Sequence, residues 1–169
     1  MIHFDPVDKP TYQDLLDSAC FVKLDAKDQI KRLGRTVDSD TLQWWNKQHE
    51  YVRRVSFNPT NTDMYAEDAI KELQNYMSKF VNANAQTMWA RGSLDQVVID
   101  ALARKVDLSP ITGYNMWRDV RTAVDLLSGG TNGYCDVVHP KFNRADVIKH
   151  HPVHDCALDA VMLCYGKSF

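Results

Sequence analysis

His154-Asp155-Cys156-Ala157-Leu158-Asp159-Ala160 follows Pro152 and runs straight into the apolar Val161-Met162-Leu163. The stretch reads as the entry to a closing helix, predicted from about Asp155 to Tyr165. On one helix His154 and Asp159 stand five residues apart, about 140° out of register, so they would not share a face. Placing His154 just before the helix, with Asp155 as its N-cap, removes the conflict, because a loop can turn the imidazole back toward Asp159. An imidazole with a pKa near 6.5 can take a proton from water at neutral pH. The plain alternative is an ordinary N-cap beside a surface histidine, since His and Asp at this spacing often occur by chance.

Upstream, Met88-Trp89-Ala90-Arg91-Gly92-Ser93-Leu94-Asp95 reads as a strand end, a glycine turn and an acid opening a helix. The strand is predicted over Gln86–Ala90 and the helix over Leu94–Val106, with Val97, Val98, Ala101 and Leu102 on its apolar face. Asp95 is either a carboxylate delivered to a cleft or an acid favoured in the first helical turn by the macrodipole.

Around these two segments the chain alternates. Met1–Phe4 reads as a strand end closed by Asp5-Pro6, and Val7–Leu24 has no single period. A helix capped by Ser39 carries Leu42, Trp45, Val52 and Val55 and stops before Pro59. A second runs from Asp63 to near Asn82-Ala83-Asn84, with Ala66, Ile70, Leu73, Met77 and Phe80 on one face. Tyr114–Trp117 reads as a strand, Val120–Leu127 as a helix stopped by Gly129-Gly130, and Thr131–Pro152 as loop. Strand and helix in turn predict an α/β layer fold, one domain over residues 1–169.

Bulk composition narrows the functional classes. Apolar residues are 44% and charged residues 25% of the 169, as in globular proteins, and the net charge of −2 argues against a broad basic nucleic-acid surface. A nuclease stays possible, because divalent ions held by carboxylates can supply the positive charge that meets phosphate. Cys20, Cys135, Cys156 and Cys164 form no C-x-x-C pair and no apolar run is long enough to span a bilayer, which predicts reduced thiols, no membrane partner and a cytoplasmic location.

Taken in order, the motifs resemble those of the 3′-5′ exonucleases of the DEDDh class, in the phage and prophage exonuclease A-like family. H-x-x-x-x-D at His154 and Asp159 is similar to that class's third motif, and Met88–Asp95 to its second, with Leu94 where a Phe is usual. Thr41-Leu42-Gln43-Trp44-Trp45-Asn46-Lys47-Gln48 resembles the family's W-W-x-x-Q helix, and Met116-Trp117-Arg118-Asp119-Val120-Arg121-Thr122 its W-x-x-R-D-x-R-T segment.

The resemblance implies a ribonuclease H-like fold, a mixed central sheet flanked by helices. It implies His154 as general base, Asp95 and Asp159 as catalytic metal ligands, and two Mg²⁺ or Mn²⁺ ions acting on a nucleic-acid 3′ end, with Trp89 and Arg91 bordering the terminal nucleotide. The residues of the W-x-x-R-D-x-R-T segment read either as a structural ion-pair network or as a phosphate contact.

The family's opening D-x-E motif has no counterpart in this sequence. Two carboxylates are too few for a pair of metals, so little or no hydrolysis is expected of this chain alone. The family's first strand, which lies mid-sheet, is expected from another subunit or an N-terminal fragment. The alternative is a phage pseudo-exonuclease kept as a binding or inhibitory module. A zinc site built from Cys135, His139, His150, His151, His154 and Cys156 is a third reading, although its spacing matches no standard finger.

Overall fold

The computed structural model describes residues 1–80, 86–139 and 141–166. The predicted end of the second helix at Asn82-Ala83-Asn84 lies outside them.

Helices dominate. In chain order they are α1 (Tyr12–Asp17), α2 (Ser39–Asn46), α3 (Glu50–Ser56), α4 (Ala66–Ser78), α5 (Leu94–Lys105), α6 (Val120–Ser128) and α7 (Pro152–Tyr165). Strands β1 (Met88–Ala90) and β2 (Trp117–Asp119) form a parallel pair in the register Met88↔Trp117, Trp89↔Arg118 and Ala90↔Asp119. The protein is therefore α/β, but its sheet among the described residues is small and parallel rather than the mixed sheet expected.

Several boundaries depart from the sequence reading for identifiable reasons. Met1–Phe4 is not a strand; Met1 instead exchanges backbone hydrogen bonds with Cys20, its nitrogen donating to the Cys20 carbonyl at 2.7 Å and its carbonyl accepting at 2.9 Å. The uncommitted Val7–Leu24 stretch holds α1, started by a capping box between Thr11 and Asp14. The helix predicted from Ser39 is two helices: Asp38 caps the first through the Thr41 amide, and His49 begins the second. The helix predicted from Asp63 begins at Ala66, because Asp63 is taken up by Thr60 and Lys23. Tyr114–Met116 is a 3₁₀ turn, and the strand starts at Trp117.

Two apolar clusters hold the elements. One gathers Tyr12 and Leu15 of α1, Val120 and Val124 of α6, and Ala157, Leu158, Val161 and Met162 of α7. The other gathers Ala66, Ile70 and Leu73 of α4 with Leu102 and Ala103 of α5, and the sheet residues Met88 and Trp117 pack against it. In α5 it is thus the C-terminal half that faces the core. Val97, assigned to the apolar face from sequence, is 58% exposed, and Leu94 is 70% exposed.

The first part of the loop after α6 is fastened in two places. At Gly129 the chain turns with φ +72°, a left-handed C-cap that suits glycine. Gly133, also at φ +72°, donates its N–H to Asp125 at 2.8 Å and lies so close to Arg121 that a Cβ there would meet its Cγ at 2.6 Å. Further on, Val137 forms an antiparallel bridge with Gly166, just beyond α7.

Candidate active site

Asp119 shows how the two motif segments are joined. At the end of β2 its Oδ1 caps α6, accepting from the Thr122 amide and hydroxyl at 2.7 and 2.6 Å. Its Oδ2 accepts from the Gly92 N–H at 2.7 Å, which fixes the turn between β1 and α5. Of the two readings of Asp119, its bonds are those of a structural residue. Gly92 turns at φ +83°, where a side chain would be strained, and delivers Asp95 to the first turn of α5.

Beside this turn Arg91 reaches across to α7. Asp159, half-buried on α7, takes the Arg91 guanidinium in a two-nitrogen salt bridge. Arg91 Nη1 also donates to the Gly133 carbonyl at 2.9 Å, and the guanidinium carbon sits 4.3 Å from the centre of the Tyr134 ring. Burial pushes the Asp159 carboxyl above the usual carboxylate range, the Arg91 bond opposing this and the charge of Asp95 adding to it. Asp95 is exposed as a residue, yet desolvation of its carboxyl raises its pKa as well.

Asp155, expected from sequence as the N-cap, lies in the first turn of α7. It lies four residues before Asp159 and so on the same helix face. Burial raises its pKa, and the charge of Asp159 raises it further. The i,i+4 spacing of the two acids was the signal available for their shared face.

His154 is placed differently from expectation. The α7 N-cap is His151, Pro152 opens the helix, and His154 sits within its first turn rather than before it. Proline suits that position because its missing N–H would have no helical partner. On a continuous helix His154 and Asp159 then point about 140° apart. The His154 ring turns toward α1, with Nδ1 2.8 Å from the Tyr12 hydroxyl and 3.4 Å from the Ile148 amide nitrogen. An amide N–H only donates, so Nδ1 is an acceptor here and the proton of the neutral ring is on Nε2. Burial lowers the His154 pKa, with Asp155 and a backbone contact at Asp146 opposing. For Tyr12, burial followed by Asp155 and Asp146 raises the pKa to about 12, so it remains a neutral phenol.

Trp89 stands on β1 with its indole N–H donating to the Thr87 hydroxyl at 2.9 Å, and it is 37% exposed. Trp44 and Trp45 meet edge to face, with Trp45 stacked on Phe57 and Trp44 edge-on to His150.

Among the described residues no three His, Cys, Asp or Glu side chains are close enough to hold a metal ion. Of the zinc candidates His151 and His154 do touch, their ring centres 4.7 Å apart, but no third ligand joins them among the described residues; Cys135 is buried and His139 packs on Tyr165. The crowded acids have the chemistry for one hydrated divalent ion, which binds through one or two carboxylates and keeps several waters. They do not form a paired-metal site, and on Asp159 a guanidinium occupies the place of a cation.

The profile of the Rv2179c-like 3′-5′ exoribonuclease domain matches residues 10–165. The chain belongs to that family. The match encloses both motif segments and every candidate side chain named above. The chain is also 26% identical over 188 aligned residues to an exodeoxyribonuclease of Enterobacteria phage T4, covering all of this chain and 80% of the relative. No solved structure matches.

Proposed function

We propose that this chain acts as a 3′-5′ exonuclease of the DEDDh kind, one domain over residues 1–169 with a ribonuclease H-like arrangement, removing nucleotides from nucleic-acid 3′ ends in the bacterial cytoplasm. The observation that carries this is the salt bridge by which Arg91, at the turn that leads to Asp95, holds Asp159 of α7 and so joins the two motif segments, with burial raising the pKa of both acids. Membership of an exonuclease family and the phage relative support the same reading. No helix among the described residues is long and apolar enough to cross a membrane.

Asp95 and Asp159 would hold Mg²⁺ or Mn²⁺, with Asp155 beside them. The ion, when bound, supplies charge stabilisation at the phosphate and lowers the pKa of water. Arg91 neutralises Asp159 in the free protein and can turn its remaining donors to a phosphodiester. Trp89, its indole edge fixed by Thr87, offers a ring face to the terminal base. To act as general base His154 would have to shift its proton from Nε2 to Nδ1, turning the Tyr12 hydroxyl from donor to acceptor and giving up the Ile148 amide contact. The D-x-E carboxylates of the class would come from outside this sequence, on a strand-donating subunit or N-terminal fragment.

Single-stranded DNA and RNA oligonucleotides labelled at the 5′ end test this with Mn²⁺ present, with and without a fragment carrying D-x-E. Stepwise shortening from the 3′ end, abolished by Asp95→Asn or Asp159→Asn, is expected. No shortening under either condition, or shortening unaffected by both substitutions, overturns the reading.

The Arg91–Asp159 pair also favours a second reading, a non-catalytic binding or inhibitory module whose acidic centre is already neutralised. Such a module keeps its nucleic-acid or protein binding when His154 and Asp159 are both changed to Ala, and loss of that binding would dismiss it.

A further inference from the structure

The loop between α6 and α7 carries a cleft of about 440 Å³. Its lining includes Tyr134, Arg144, Asn132, Asn143, Phe142 and Asp136. Tyr134 is 45% exposed and rests on the Arg91 guanidinium, with the Arg144 guanidinium carbon 6.0 Å from its ring centre. Arg144 is exposed and makes no ion pair among the described residues. The side-chain oxygens of Asn132 and Asn143 accept from the Tyr134 and Ala145 amides at 3.0 Å each, and neither carboxamide NH₂ group has a partner among the described residues.

An exposed aromatic ring, an unpaired guanidinium and two amide donors form a surface for something anionic, carbonyl-rich and flat. A single nucleotide unit of a polynucleotide has all three properties, and a cleft of this size is within the range of small-ligand sites. The cleft is also tied to the acidic centre by one side chain: Arg91 bonds Asp159 at one end and supports Tyr134 at the other. We propose that this cleft is a subsite for the nucleotides preceding the 3′ terminal one, with Tyr134 as a stacking platform and Arg144 holding a phosphodiester. The proposal rests on the exonuclease reading and adds to it a grip on the single strand on the 5′ side of the bond that is cut.

Binding of 5′-fluorescein-labelled oligothymidylate and oligouridylate octamers to the whole chain, followed by anisotropy with Ca²⁺ present, tests it. Arg144→Glu and Tyr134→Ala are each expected to weaken binding by roughly tenfold or more, while Tyr134→Phe stays within about twofold. Arg144→Glu should also reduce the salt dependence by about 0.7 of a log unit per log unit, the loss of one single-strand phosphate contact. Competition by thymidine monophosphate should be unchanged in both, and circular dichroism checks that these exposed-loop variants stay folded. If the wild-type chain binds the octamers and both variants bind them equally well, the subsite falls and the exonuclease reading stands. If the wild-type chain binds neither octamer, the subsite falls, and the exonuclease reading is decided separately by the 3′-shortening assay. Weakening confined to the DNA or the RNA probe supports the subsite and names its polymer.

Discussion

The acidic centre depends most on one side chain. Arg91 is the cation on Asp159, and both members are largely shielded, with side-chain exposures of 18% and 19%. Removing one partner of such a pair leaves the other charge without compensation, which costs more than the pair contributes. Arg91→Met should therefore destabilise the fold by about 1–3 kcal/mol in urea denaturation. Asp159→Asn in the Arg91→Met background should recover much of that loss, because the orphaned charge disappears. If the two substitutions simply add, the salt bridge is not coupled and the site is more solvated than its geometry indicates. Sequence alone gave no access to this pairing, which spans the chain from residue 91 to residue 159, nor to the Tyr134 ring beneath it.

At the scale of elements, Asp119 is the joint between β2, α6 and the turn that carries Asp95. Losing an N-cap carboxylate typically costs about 1 kcal/mol, and the Gly92 bond is lost with it. Asp119→Ala is expected to cost about 1–2 kcal/mol in thermal or chemical melts, whereas Thr122→Ala, which keeps the Asp119 carboxylate and both of its amide bonds, should cost less. Equal losses would mean that the Gly92 anchor contributes nothing. The helices whose ends carry local signals were legible: α6, stopped at Gly129, and α5, opened after Gly92, stand within a residue or two of their predicted bounds. α7 starts three residues before its expected bound, because Pro152, which ends the loop in the sequence reading, has a fixed φ that suits the first helical position. The break between α2 and α3 was hidden by apolar spacing that carries on across it. Strand pairing was the least legible, since β1 and β2 are three residues each and find one another across α5.

At the scale of the molecule, the second apolar cluster is closed on one side by a charged clasp. Arg32 Nε donates to Asp28 Oδ1 at 2.5 Å and its terminal nitrogens form a two-bond fork with Glu67 at 2.6 Å, linking the π-helical turn Asp28–Arg32 to the first turn of α4. Hydrogen bonds from Arg32 hold both carboxyls below their usual range. A carboxylate with a depressed folded pKa binds fewer protons folded than unfolded in the interval between the two values. Its stabilising effect is therefore present above the ordinary carboxylate range and lost as pH falls from that range through the lower folded value. The melting temperature is expected to drop as pH is lowered below about 4, and Asp28→Asn should flatten that part of the curve. A profile equally steep in Asp28→Asn would assign the acid sensitivity elsewhere.

The fastening of the loop after α6, at Gly133 against Arg121 and at Val137 against Gly166, bears on how a ligand is met. A surface held in shape before contact loses little disorder when it is occupied. Chains that fit and chains that do not should then arrive at comparable rates, and selection between them should be expressed in how long each one stays.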